Sequence, residues 1–175
     1  MTFDAFETHD DPVLRKMRKA GERYAAAILA RQQPFWLTLY GRAGEGNGTG
    51  KTYLSRMILD RVRRHQWGTT PTKFLDWPGT ARKFQSHEDI TGRMAFAREA
   101  DVLVIDDAGA EHRTPATIGL LYTLLNHRLG KWTIITTNLS PSDWAEADTR
   151  IASRLRRGGS FILECETQDY ALRKT

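Results

Sequence analysis

No part of this chain constrains its fold more than the stretch "GRAGEGNGTGKT", Gly41 to Thr52. Glycines let a backbone turn through positive φ and bring N–H groups close to an anion, while a Lys-Thr pair opening a helix adds a cation and a hydroxyl. The flanks supply the context such a loop needs. "FWLTLY" (Phe35 to Tyr40) is a short, mostly apolar run of strand type, and "KTYLSRMILDRVRRHQW" carries Tyr53, Leu54, Met57, Ile58 and Val62 at helical spacing. Strand, glycine loop and helix together form a phosphate cradle. The strict pattern G-x-x-x-x-G-K-[ST] is not met, because Glu45 stands at its first position. Removing Glu45 to Gly48 leaves "GRAGTGKT", a full match, so the loop reads as a standard one with four residues inserted. Alternatively "EGNGTGKT" makes the phosphate contacts and the extra length lies toward the strand, which suits a loop that must close directly before Lys51. Glu45 must then point to solvent, since a carboxylate beside a triphosphate repels it.

The rest of the chain repeats the same alternation. Asp11 to Arg31 has Val13, Leu14, Met17, Tyr24, Ala27 and Ile28 at helical spacing, with Pro12 suited to a first turn. "TKFLDW" (Thr72 to Trp77) reads as a strand, broken by Pro78 and Gly79 before one or two helices that reach Ala100. "DVLVIDD" has the continuous apolar run of a fully buried parallel strand. A helix over Ala116 to Leu129, the strand "WTIITTN", a helix "DWAEADTRIASRLRRG", a last strand "SFILECE" and the tail "DYALRKT" follow. Strands alternating with helices predict an α/β fold, a parallel sheet with helices on both faces. At 175 residues the chain suits one domain, with a short N-terminal segment (1–33) ahead of the α/β domain (34–175).

The loop assigns chemistry to named positions. Gly48, Thr49, Gly50, Lys51, Thr52 and Tyr53 form the nucleotide-contacting set; Lys51 would reach the β and γ phosphates and the Thr52 hydroxyl would ligate Mg²⁺. A buried strand ending in Asp106 and Asp107 brings carboxylates to the sheet edge where ligands bind in open α/β folds. Asp106 would hold the hydration shell of Mg²⁺, and Asp107 would orient or deprotonate an attacking water. Asn138, at the end of "TTN", would contact the γ-phosphate or that water.

"LTLYGRAGEGNGTGKTYL", "VLVIDDAGAE" and "TIITTN", followed by "TRIASRLRRG", closely resemble the AAA+ core of the DnaC/IstB-like ATPases, which comprise helicase loaders and a transposition helper. The similarity runs from about Phe35 to Arg173. The resemblance implies a five-stranded AAA+ P-loop core with little or no C-terminal lid, ATP and Mg as cofactors, and a homo-oligomer with ATP at the subunit boundary. Arg154 would be the arginine that reaches a neighbour's γ-phosphate, with Arg150 beside it, and Arg173 would sense the bound nucleotide. The implied partners are a replicative helicase and single-stranded DNA. Two other readings stay open: a transposition helper, and a nucleotide-switched DNA-binding adaptor with little hydrolysis. A small-molecule kinase would need an arginine-rich lid, and the chain shows none.

Net charge is +5, with Lys and Arg numbering 26 against 21 Asp and Glu, which favours polyanionic partners. Arg82, Lys83, Arg93 and Arg98 form one candidate DNA cluster, and Arg61, Arg63 and Arg64 another, although the latter also complement a helix dipole. Trp67 and Trp77 would stack on bases if exposed, and fill the core if not. Cys165, the single cysteine, excludes an internal disulfide and sits in an alternating run as a strand residue. His112 has no Cys or His ligand set around it. The acidic start lacks the apolar core of a secretory signal, and no apolar run is long enough to span a membrane, so the expected location is cytoplasmic.

Overall fold

The computed structural model describes residues 3–41, 48–65, 71–157, 160–167 and 170. A short 3-10 turn, Phe3–Ala5, precedes helix α1, Pro12–Leu29; Asp11 caps it by accepting from the N–H groups of Val13 and Leu14. Strand β1, Trp36–Tyr40, leads through the glycine loop to α2, Lys51–His65. Next come β2 (Thr72–Asp76), α3 (Trp77–Gln85), α4 (Thr91–Glu99) and β3 (Val102–Asp106). The chain continues with α5 (Pro115–His127), β4 (Trp132–Thr137), α6 (Pro141–Ala147), α7 (Thr149–Arg156) and β5 (Phe161–Glu164).

The five strands form one sheet in the order β2-β3-β4-β1-β5, and every pairing is parallel. Alternating side chains serve two separate cores. Leu37, Leu39, Val102, Val104, Ile134 and Leu163 face α1 and α2, where Leu14, Met17, Tyr24, Leu54 and Ile58 meet them. Trp36, Leu103, Ile105 and Ile135 face the other way, against Trp77, Met94, Leu121, Leu124, Trp144 and Leu155. Burial on both sides explains why "VLVI" reads as one apolar run.

Two boundaries depart from the sequence reading. The stretch expected as one helix, "DWAEADTRIASRLRRG", is two: Asp148 adopts an extended conformation and accepts from the N–H groups of Arg150 and Ile151, ending α6 and starting α7. Strand β2 stops at Asp76, whose carboxylate accepts from Gly79 N–H, so Trp77 and Pro78 open a helix. A proline in a first turn lacks only an N–H that would have no helical partner.

At the edge of the sheet where the strands begin, Arg128 is fully buried. Its guanidinium donates to the carbonyls of Ala97, Arg98, Ala100, Asp101 and Trp132 and to Thr133 Oγ1, tying the end of α4 to the starts of β3 and β4.

Candidate functional site

At the opposite edge, the ends of β1, β3 and β4 and the start of α2 enclose a cleft of about 510 Å³, lined by residues 48–53 with Arg56, Asp107, Asn138 and Tyr170. Gly50 has φ +84°, which a side chain would strain, and it turns the chain into α2 so that the first helical N–H groups face the cleft. Lys51 is 7% exposed. Its ammonium donates to the Gly41 carbonyl, and to Thr49 Oγ1 and Asn138 Oδ1 at 3.1 Å each. Burial lowers its pKa below the ordinary lysine value, while the Asp107 and Asp106 charges act to raise it.

Asp106 sits behind Thr52. Thr52 Oγ1 donates to Asp106 Oδ1 at 2.9 Å, and Thr136 Oγ1 donates to the same oxygen at 2.7 Å. Burial lifts the carboxyl above its usual range, and the two hydroxyls oppose that rise. Thr136 Oγ1 also accepts from the N–H of Asp107 at 2.9 Å, so one threonine of β4 fixes both aspartates. Asp107 itself has φ +55°, a left-handed conformation that aspartate tolerates better than most residues and that turns the chain sharply at the strand end. The site therefore holds a buried cation, a hydroxyl against a carboxylate, and a second carboxylate on the lining. Hydroxyl and carboxylate oxygens are the hard donors that suit Mg²⁺, and a helix start with a lysine suits phosphate, so these residues fit a magnesium nucleotide.

This architecture is shared by solved proteins. It aligns with the crystal structure of DnaI at TM-score 0.74 and 20% identity, over 97% of this chain and 89% of that one. It aligns with the DnaC helicase loader at TM-score 0.71 and 20% identity, over 94% of this chain and 96% of that one. The fold is that of an AAA+ domain. AMPPCP-bound DnaA from Aquifex aeolicus matches this AAA+ fold at TM-score 0.66 and 18% identity, over 94% of this chain and 50% of that one. No family model matches the sequence, and no curated protein matches it by sequence.

Within the AAA+ fold, the cleft gathers Gly48, Thr49, Gly50, Lys51, Thr52, Tyr53, Asp107 and Asn138, with Asp106 directly behind. Arg150 and Arg154 are not on its lining. Both lie on α7: Arg150 pairs with Asp148 at 2.7 Å and stacks over Tyr122, while Arg154 donates to Asn126 Oδ1 at 2.6 Å and to Tyr122 Oη at 3.4 Å. Arg173, Trp67 and the Glu45 to Asn47 part of the insertion lie outside the described residues. Trp77 is fully buried on the α3 side of the sheet and offers no face to a base. Arg82, Lys83 and Arg93 are exposed, with Lys83 paired to Glu88 at 3.2 Å; Arg98 is half-buried. Arg61, Arg63 and Arg64 are exposed at the end of α2, where Arg63 donates to Thr72 Oγ1 at 2.6 Å. Cys165 is buried, and burial pushes its thiol up to about 12. His112 is exposed. No helix among the described residues is long and apolar enough to cross a membrane.

Three contributors escaped the sequence reading. Arg56 lies one turn past Thr52 on the same helix face, a spacing that could have flagged it, and its guanidinium stacks over Phe74 at 4.3 Å. Thr136 sits two residues before Asn138 without any motif of its own. Tyr170 reaches the cleft only through tertiary folding.

Proposed function

We propose that this chain is an ATPase of the helicase-loader type, which binds MgATP in the cleft and completes its site between subunits. The observation that carries this reading is the convergence of Lys51, Thr52, Asp106, Asp107 and Asn138 on one cleft, in a fold that DnaI and the DnaC helicase loader share.

The residues divide the work by their surroundings. Lys51 holds its ammonium on a loop carbonyl, a hydroxyl and an amide oxygen, all neutral groups that a phosphate oxygen would displace with stronger, charge-assisted bonds. Thr52 and Asp106 would hold the metal, and Mg²⁺ when bound supplies positive charge against the phosphates. Asp106 accepts from two hydroxyls through one oxygen and lies buried behind the lining, so a water in the cleft reaches it less readily than it reaches Asp107. Asp107, partly exposed on the lining beside Asn138, is the group placed to orient a water.

Arg154 is the better trans residue of the two on α7. The charge of Arg150 is already met by the Asp148 carboxylate, whereas among the described residues Arg154 contacts only a neutral amide and a phenol, leaving its charge for a neighbour's phosphate. The exposed basic residues of α3 and α4 supply a surface for single-stranded DNA, and a replicative helicase is the partner this reading requires.

The test is ATP hydrolysis across a protein concentration series, with and without single-stranded oligo-dT. Turnover should rise steeply with concentration, disappear in Lys51→Ala, and fall by about 1,000-fold in Arg154→Ala assemblies. Wild-type protein that binds no nucleotide, or Lys51→Ala that hydrolyses as well as wild type, defeats the reading. Binding without turnover under all conditions returns it to a nucleotide switch.

A further inference from the structure

Tyr170 forms the wall of the cleft beside the phosphate loop, and the N-terminal segment backs it from behind. The Tyr170 N–H donates to the carbonyl of Gly48 in the loop at 2.7 Å. On its other side the Tyr170 phenol accepts from the N–H of Glu7 at 2.9 Å. The Tyr170 ring stacks on Phe6 with centroids 4.9 Å apart, and both rings reach Tyr53, the first-turn residue of α2, at 5.9 and 6.1 Å. A second tie lies close by, where Thr167 Oγ1 donates to Asp11 Oδ2 at 2.5 Å. Asp11 also caps α1 through its other oxygen, so Thr167 anchors the C-terminal segment to a rigid helix start.

These contacts leave the loop little room. A Cβ on Gly50 would lie 3.3 Å from both Phe6 and Tyr170, so the two rings press directly on the residue whose positive φ turns the chain into α2. Phe6 is fully buried although it belongs to a segment with one short turn of its own. Phe6 and Tyr170 belong to the core that α1 and α2 build on this face of the sheet, and they form an aromatic plug at its edge. What the plug touches is the phosphate loop.

We propose that Tyr170 is a positioning residue for the phosphate loop, and that the N-terminal segment Phe3–Asp11, by holding Tyr170, sets nucleotide affinity. The proposal rests on the nucleotide reading of the cleft. Its physical basis is preorganisation: a loop already held in its binding conformation loses less freedom when a phosphate arrives. Linkage makes the coupling reciprocal, so a bound nucleotide would in turn hold the N-terminal segment in place. A partner that pulled Phe6 away would loosen the loop and release nucleotide, which gives this short segment a way to control the site without touching the ligand.

The experiment uses the full chain with Thr167→Val, Thr167→Ser and Tyr170→Phe. Thr167→Val is nearly isosteric and removes the donor to Asp11, Thr167→Ser retains it, and Tyr170→Phe removes the phenol that accepts from Glu7 while keeping the ring. Amide exchange at residues 49–53 is measured without nucleotide; MgATP dissociation constants and the KM and kcat of hydrolysis are measured with it. Thr167→Val and Tyr170→Phe should exchange faster in the loop and bind MgATP more weakly, by about 2- to 10-fold for one lost hydrogen bond. Thr167→Val should raise KM and leave kcat unchanged, and Thr167→Ser should restore both exchange and affinity. Loop exchange and affinity unchanged in both Thr167→Val and Tyr170→Phe overturn the proposal, as does weakening that Thr167→Ser fails to rescue. Faster loop exchange in a protein that binds no MgATP even as wild type supports the clasp while removing the nucleotide reading.

Discussion

Two cations are buried at opposite edges of one sheet. Lys51, where the strands end, has three hydrogen-bond partners among the described residues and lines a cleft. Arg128, where they begin, has six and borders none of the described clefts. Neither forms a salt bridge among the described residues, and burial lowers the pKa of each, Arg128 to about 10. The cost of desolvation is therefore common to both, and what differs is how completely the protein answers it. The planar fork of Arg128 collects carbonyls from the end of α4 and the starts of two strands, those of Ala97 and Ala100 in fully buried bonds, and shares the Arg98 carbonyl with Lys131 Nζ. Lys51 faces a space where a ligand can replace its present partners. A buried charge fully answered by the backbone holds a fold together; one answered by exchangeable contacts is ready to bind.

The largest effect should come from breaking the Arg128 side. Arg128→Met takes a donor from five carbonyls, those of Ala97 and Ala100 in buried bonds, and should lower unfolding stability by about 3 to 5 kcal/mol, read as a fall in denaturation midpoint. A loss under about 1 kcal/mol would mean that water reaches this end of the sheet and that the contrast with Lys51 is false. Lys51→Met should do the opposite on both counts. Of its former partners Thr49 and Asn138 line the open cleft and can turn to water, leaving the Gly41 carbonyl behind it, so stability should change by about 1 kcal/mol, while MgATP affinity should drop by about 100-fold, or ~2.7 kcal/mol. Titration calorimetry beside a denaturant curve reads both quantities on the same sample.

A smaller effect sharpens the comparison through pH. The folded pKa of Lys51 lies below that of a lysine in the unfolded chain. Between those values the unfolded state binds more protons, so the contribution of Lys51 to stability rises with pH across that alkaline window. Over the same rise the ammonium is lost and MgATP affinity falls, earlier than an ordinary lysine near 10.4 would cause. Lys51→Met should flatten both slopes. Parallel slopes in wild type and Lys51→Met would assign the titration to other groups.

Much of the candidate site's layout was legible because its parts are local. A strand, a glycine loop and Lys51-Thr52 opening a helix are contiguous, and a parallel strand ending in Asp106-Asp107 delivers its carboxylates to the same edge as every other strand end. The five-strand parallel architecture follows from the same alternation. The α6–α7 break was missed because the helical period runs through it; Asp148 stops α6 with its backbone and caps α7 with its side chain, a local hydrogen-bond choice that apolar spacing does not record. Arg128 fell within the expected helix Ala116 to Leu129 with nothing to single it out, and Tyr170 within the tail "DYALRKT".

From the sequence alone came the glycine loop between strand and helix, the strand-borne aspartates and the parallel α/β order, since each depends on neighbours along the chain and on the single direction that parallel strands share. Only the tertiary structure decided which arginine is buried and which is exposed, that Thr136 holds both aspartates, and that Phe6 and Tyr170 close on Gly50 from opposite ends of the chain. Those relations join residues far apart in sequence, and the free energy that fixes them is burial and hydrogen bonding in a shared interior, which no local pattern encodes.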